Sequence, residues 1–366
     1  MKIYLEDIAS ISALGYGEQG NEHYRSSDHF HEFQNGIWSA KVKEQLPEFS
    51  EKYIQQSDKT GQWLIHLLGK VKHNNVDGVF MASSRGATEL WENQHQRFLE
   101  SGTVSTLCSP HTTLGNLASL VGQKMGRHIP SLSFSNACSS FSQALIQGAM
   151  WLKAGEANNI LVGASEFATS AFTQAQIEAL HISSKEPSSS NYPNRSLDIR
   201  KEQNTLTLGE GAVMAKITRT PSQFEIAGIG FGMEMTKNPT GVSEEGTGFQ
   251  AAMEMALGKA KLDQPDVIIA HAPGTIKGDR AEINAIQSLF PTPPFTFSNK
   301  WKIGHTYGAS SGLSLDLATW ILKNQTLPET PFSLGTAPTE IKSILINSMG
   351  FGGNVTSLIL QLSDQQ

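Results

Sequence analysis

Short, uncharged hydrophobic runs alternate along this chain with longer stretches of helical period, a pattern that predicts an α/β protein. Strand-like runs lie at Asp77–Ser83, at Ser131–Ser135, whose end overlaps Phe134-Ser135-Asn136, and at Ile160–Ser165. A second set follows in the same order, at Asp266–His271, at Phe297-Ser298-Asn299 and at Ile344–Ser348. After each Phe-Ser-Asn, a helical stretch ends in a Trp and a Lys: Trp151 and Lys153, then Trp320 and Lys323. Any one of these echoes is common strand vocabulary, but three in order predict a duplicated α/β unit. The halves are placed at residues 1–220 and 221–366, after the strand-like Ala212–Ile217. Residues 181–204 are polar and turn-rich, which predicts a long surface loop, either functional or a Ser-rich flexible tether.

The chain's 366 residues can bury a large core. A net charge of −6, from 28 basic and 34 acidic residues, with no Lys/Arg-rich run, argues against a nucleic-acid partner. Glu6 and Asp7 stand where a signal peptide needs its apolar stretch. No run reaches the roughly 18 apolar residues of a membrane span. The two cysteines, Cys108 and Cys138, make neither a disulfide framework nor a zinc spacing, so no metal is expected. A reducing cytoplasm is the expected compartment.

Cys138 is the centre of the candidate chemistry. Phe141, Ala144, Leu145, Gly148, Ala149 and Leu152 form a helical stripe just after it. Cys138 therefore falls where a strand turns into a helix N-terminus, whose free N–H groups and dipole favour a thiolate. A thiolate is the nucleophile of acyl transfer. A small cysteine packed as a hydrophobe is the other reading. His271 follows Val267–Ala270, at the carboxyl end of a strand-like run, where open α/β sheets place their sites. His305 lies in the glycine-rich segment Lys300–Gly312, expected as a loop that brings backbone close to a neighbour. Gly350, Gly352 and Gly353 surround Phe351, which predicts either a mobile apolar plug or a tight turn with a buried Phe. A duplicated fold can bring the cysteine of one copy to the histidines of the other.

Taken together, these residues resemble the β-ketoacyl-acyl-carrier-protein synthases, the elongating condensing enzymes of fatty acid and polyketide synthesis. The resemblance runs through Ser10–Gly15, Ala137–Ser140, Gly163–Glu166, Leu208–Ala212, His271–Glu282, Lys300–Gly312 and Gly350–Gly353. It implies the thiolase fold, two related halves in a five-layer α/β/α/β/α sandwich, usually dimeric. It implies Cys138 as acyl-accepting nucleophile, and His271 and His305 as the pair that supports malonyl decarboxylation and holds the enolate. It implies Lys300 as the residue that orients the second histidine, and Thr275 as a contact of the phosphopantetheine arm. Phe351 is implied as a gate, its backbone N–H forming the oxyanion hole with that of Cys138. The implied partners are acyl carrier protein and a second synthase subunit, in a homodimer or a heterodimer. No cofactor is implied beyond the carrier's phosphopantetheine.

The implied reaction is decarboxylative condensation of an acyl thioester with malonyl-acyl-carrier protein, through an acyl-cysteine. The chain departs from the family pattern at Pro273, Ser314 (with Asp316 close by) and Val355, and in Asn204–Leu208. Those departures suggest a specialised branch, such as one making polyenes. The competing reading is a non-catalytic or partner-dependent chain-length subunit. A thiolase would need a second cysteine after Cys138, and a Cys-His-Asn starter synthase an asparagine in place of His305. Arg195, Arg200 and Lys201 are the expected docking cations for the carrier.

Overall fold

Ten of the strands carry the architecture in the computed structural model, which describes residues 1–236 and 241–363. The first half contributes β1 (Tyr4–Ser12), β2 (Gly78–Ala82), β3 (Ser131–Phe134), β4 (Asn159–Phe167) and β5 (Leu208–Thr218). The second contributes β6 (Phe224–Met233), β7 (Val267–Ile269), β8 (Phe295–Phe297), β9 (Ser343–Met349) and β10 (Asn354–Leu362). Their spatial orders are β3-β2-β4-β5-β1 and β8-β7-β9-β10-β6, which are the same order twice. The directions repeat too. β2 pairs in parallel with β3 and β4, as β7 does with β8 and β9. The remaining pairs, β4–β5, β5–β1, β9–β10 and β10–β6, are antiparallel. Even a detail recurs: Asp77 Oδ2 accepts the N–H groups of Asn158 and Asn159, and Asp266 Oδ2 those of Lys342 and Ser343. Each aspartate anchors the start of the neighbouring parallel strand, so the echo in sequence is a structural duplication. The connection between β5 and β6 contains residue 220.

Seven helices complete the layers: α1 (Lys59–Leu68), α2 (Asn116–Met125), α3 (Ser140–Ala154), α4 (Ala171–Ala179), α5 (Thr247–Ala260), α6 (Ile276–Leu289) and α7 (Ser310–Asn324). Strand residues alternate between two cores, as the two-residue period requires. Ile160 and Val162 of β4 join Phe141 and Leu145 of α3, Leu313 and Ile321 of α7, and Ile269 and Ile346 of the second sheet. Leu161 turns the other way, to Trp63 and Leu64 of α1 and Leu120 of α2. On the far side, Ile268 and Leu345 meet Phe249 and Met253 of α5 and Ile286 of α6. Two outer helix layers, two sheets and a central helix pair make five layers. Contact of α5 with β6 is close enough to demand glycine: a β-carbon at Gly230 would lie 1.8 Å from Ala252 O. Among the described residues, no helix is long and apolar enough to cross a membrane.

Two expectations are corrected. Residues 181–204 are not a tether. Asn194, Ser196 and Lys201 are buried, and Leu197 N–H donates to Asp279 Oδ2 at 2.8 Å, pinning the segment to the first turn of α6. Nor is Lys300–Gly312 a loop. It forms a short helix over Lys300–Ile303, a 3-10 turn over Tyr307–Ala309, and then α7. Gly312 sits inside α7, where a β-carbon would lie 2.2 Å from Val213 Cγ1, so glycine lets the helix cross β5 closely.

Candidate active site

The turn between β3 and α3 is tied by its own serines. Asn136 N–H donates to Ser140 Oγ (2.8 Å), whose hydroxyl donates to Ala137 O (2.6 Å), and Ser139 Oγ–H donates to Asn136 O (2.9 Å). Ala137 is held at φ +47, a left-handed conformation rare outside glycine. This turn presents Cys138 immediately before α3. Gly350 packs on the same turn: a β-carbon there would lie 2.7 Å from Asn136 O and 3.2 Å from Cys138 N. The following peptide, that of Phe351, is thereby brought beside Cys138. Phe351 itself is 42% exposed, and Gly352 and Gly353 (φ +91 and +83) turn the chain behind it. The loop is a tight turn, closed by Gly353 N–H donating to Gly350 O (3.1 Å), but its Phe is exposed and not buried.

Cys138 is only 4% exposed, and burial pushes its thiol up to about 12. The charge of Glu166 pushes in the same direction, while Lys300 and Arg85 oppose it. The helix N-terminus was expected to favour a thiolate; desolvation of the anion outweighs it here. The resting group is a thiol.

His271 follows β7 and His305 follows the short Lys300–Ile303 helix; their rings meet edge to face with centroids 5.3 Å apart. His305 is sewn to the first half, its N–H donating to Thr207 O (2.7 Å) and its carbonyl accepting from Gly209 N–H (3.0 Å). Its Nδ1 accepts the backbone N–H of Tyr307 at 3.2 Å and lies 3.1 Å from Ser310 Oγ. A neutral ring with Nδ1 accepting carries its proton on Nε2. The backbone at His271 is fixed by Glu282 of α6, which accepts the N–H groups of His271 (2.9 Å) and Ala272 (2.7 Å) and the amide of Asn347 (2.9 Å). Burial lowers both imidazoles well below the usual histidine range, and the charge of Lys300 adds to it, so both rings are neutral. Lys300 is 2% exposed and is brought down to about 8 by burial, against the pull of Glu282, Cys138 and Asp279. The direct hydrogen-bond partners that set the His305 ring are Tyr307 and Ser310; Lys300 reaches both histidines through charge.

Cys138, His271, Thr275, His305 and Phe351 all line one cleft of about 750 Å³. Thr275 caps α6, accepting Gly278 N–H at 3.2 Å, with Pro273 beside it on the cleft wall. Ser314 and Asp316 lie off the cleft. Ser314 Oγ accepts from Asn299 (3.2 Å), and Asp316 accepts from Ser10 (2.8 Å) and Asn21 (2.9 Å). Val355 belongs to an outer core. The expected docking cations are corrected as well: Lys201 is buried, 2.6 Å from Asp279, and Arg195 and Arg200 both pair with Asp198, Arg200 from an exposed position. Sequence reading assigned no role to Glu166, Arg85, Tyr307 or Asn347. Glu166 stands at the end of the quoted Gly163–Glu166 motif. It is pushed up to about 7 by burial and accepts from Ser84 N–H and from Ser83 Oγ–H (2.9 Å).

Comparison with known proteins adds an independent line. Residues 67–221 match the family described as "Beta-ketoacyl synthase, N-terminal domain", and residues 223–332 match "Beta-ketoacyl synthase, C-terminal domain". The chain is 28% identical over 319 residues to a chloroplastic 3-oxoacyl-[acyl-carrier-protein] synthase I of Arabidopsis thaliana, covering 78% of this chain and 67% of that one. It is 26% identical to a 3-oxoacyl-[acyl-carrier-protein] synthase 2 of Vibrio cholerae (78% and 75%). It is 28% identical to a putative polyketide beta-ketoacyl synthase 1 of Streptomyces halstedii (77% and 74%). Among solved structures, a ketosynthase in complex with its chain length factor from Xenorhabdus doucetiae superposes with a TM-score of 0.83 at 22% identity, covering 99% of this chain and 98% of that one. A beta-ketoacyl synthase from Burkholderia phymatum superposes at 0.85 with 20% identity, covering 99% of each. These structural likenesses establish the α/β thiolase-like fold.

Proposed function

The chain belongs to the β-ketoacyl synthase family of the thiolase superfamily, and from that premise we propose that it condenses an acyl thioester with malonyl-acyl-carrier protein. The observation that carries this reading is the convergence of a buried thiol and two neutral imidazoles in one cleft. Cys138 sulfur attacks the acyl carbonyl, the carbonyl–sulfur bond of the donor breaks, and the carrier thiol leaves with the proton that Cys138 gives up. The backbone N–H groups of Cys138 and Phe351 hold the tetrahedral oxyanion.

Malonyl thioester then loses CO₂, and its electron pair becomes an enolate whose oxygen needs donors. His305 offers Nε2–H, because Tyr307 occupies Nδ1. His271 is the second donor. Buried neutral rings suit this task, since a cationic imidazolium here would cost the desolvation of a charge. The enolate carbon attacks the acyl carbonyl and the bond to Cys138 sulfur breaks; the departing thiolate takes a proton from solvent, which returns the resting thiol. Lys300 supplies positive charge behind the cleft, and Thr275, with Phe351 at the mouth, meets the phosphopantetheine arm. No other cofactor enters the scheme.

A carrier protein and a second subunit complete the proposal, in a cytoplasmic setting that suits a soluble carrier. Two structural neighbours, one of them the ishigamide ketosynthase/chain length factor, are synthases together with a chain length factor. That observation favours a second reading, a subunit active only beside a partner. Incubation with acyl donors and malonyl-carrier protein, followed by intact mass and product analysis, tests both. Acylation and condensation by the chain alone support the first reading. Condensation only after a partner is added supports the second.

A further inference from the structure

Burial along the cleft distinguishes a mouth from an inner end. Leu180, Met235 and Phe351 are exposed, whereas Ile177, Leu206 and Tyr307 are at most 4% exposed and cluster around Cys138. An acyl group on Cys138 therefore faces Ile177, Leu206 and Tyr307. The Tyr307 ring is fixed from two directions. It lies 5.3 Å from the His305 ring, tilted by 37°, and the Arg85 guanidinium sits 5.1 Å from its centroid. Arg85 is tethered in turn by a hydrogen bond to Gln176, the residue before Ile177 on α4. The cleft stops at Tyr307. Arg85 and Glu166 do not line the cleft; both act by charge on the buried Tyr307 phenol, and Arg85 holds its hydroxyl as well. Alkyl chain pushed past the ring would have to part Tyr307 from Arg85 and set hydrocarbon against the cation and Glu166, with no polar group to replace the lost contact.

Building on the proposed condensation, we propose that Tyr307, backed by Arg85, is a polar end wall that restricts the acyl group on Cys138 to short chains. The ring selects by bulk and the cation behind it by its aversion to hydrocarbon, so the pair are specificity residues and not part of the bond-making set.

The test loads the full chain with N-acetylcysteamine thioesters of two, four, six, eight and twelve carbons and reads adducts by intact mass. Wild type is expected to load the two- and four-carbon groups, with the rate falling about tenfold or more by eight carbons. Tyr307→Ala should extend loading to eight carbons or beyond. Arg85→Ala, at a half-buried position that disturbs the fold less, should move the limit in the same direction. A cooperative urea transition in each variant reports that the chain is still folded. Equal loading of two- and twelve-carbon groups by wild type, or an unmoved limit in both variants, overturns the wall while leaving the condensation reading in place. No Cys138 adduct at any length overturns both.

Discussion

The backbone N–H of Tyr307 donates to Nδ1 of His305 at 3.2 Å, and this bond sets which nitrogen of the ring can meet a substrate. A main-chain donor cannot reverse its role, so the neutral ring keeps its proton on Nε2. Because the bond comes from backbone, it survives side-chain changes at 307. Replacing His305 by Ala should cut CO₂ release from malonyl-carrier protein by about 10²–10³-fold, while acylated Cys138 still forms. The same is expected of His271→Ala. Release measured as ¹⁴CO₂ against adduct mass separates the two half-reactions. Unchanged decarboxylation in both variants would sink the assignment.

Nucleophile reactivity should follow pH steeply. With the Cys138 thiol pushed up to about 12, the thiolate fraction grows about tenfold per pH unit across the neutral range. Iodoacetamide labelling of the Cys138 peptide, followed by mass spectrometry from pH 6.5 to 9, should show that slope with no plateau. A plateau below pH 9 would mean that the helix N-terminus and Lys300 outweigh burial after all.

Stability should carry the mark of Glu166. Its carboxyl is raised to about 7 in the folded chain from an ordinary 4.5, so the folded state keeps a proton that the unfolded state releases. Its contribution is fully present below about pH 4.5 and is lost as pH rises through about 7, on the order of 3 kcal/mol in all. The two histidines act oppositely, losing stability as pH falls below about 6.5. Comparing wild type with Glu166→Gln isolates the glutamate. Urea titrations should show the difference moving against wild type between pH 4.5 and 7.5. A difference that is flat with pH would rule out a protonated Glu166.

Lys201 and Asp279 form a buried ion pair at 2.6 Å that fastens the 181–204 segment to α6. Removing one partner leaves the other charge uncompensated, which costs about 3–5 kcal/mol. Lys201→Ala should lose that much in urea unfolding. A loss under 1 kcal/mol would return the segment to the status of a loose surface loop.

The duplicated α/β architecture was legible because its strands carry the same words in the same order, and the structure adds the reason in the paired anchors Asp77 and Asp266. Cys138, His271 and His305 were legible as residues at the ends of strand-like runs. Their ionisation was not: burial at Cys138 depends on Ala168, Ile177 and Leu206, which come from other segments. Periodicity likewise failed at Lys300–Gly312, where glycines that look like loop residues serve close crossings of helix and strand. Lys201 looked like a surface cation because nothing local names Asp279, its partner from the other half. Arg85 and Tyr307 escaped notice for the same reason, since their significance lies in meeting each other beside Cys138.

The most direct test of the account is a single incubation of the purified chain with an acetyl thioester and malonyl-carrier protein, read by intact mass of both proteins. The account predicts a 42-Da-class acetyl adduct, about the mass of one acetyl group, on Cys138 that is chased by malonyl-carrier protein into a β-ketoacyl-carrier product. An adduct that persists unchanged in the presence of malonyl-carrier protein, with or without a partner subunit, would contradict it.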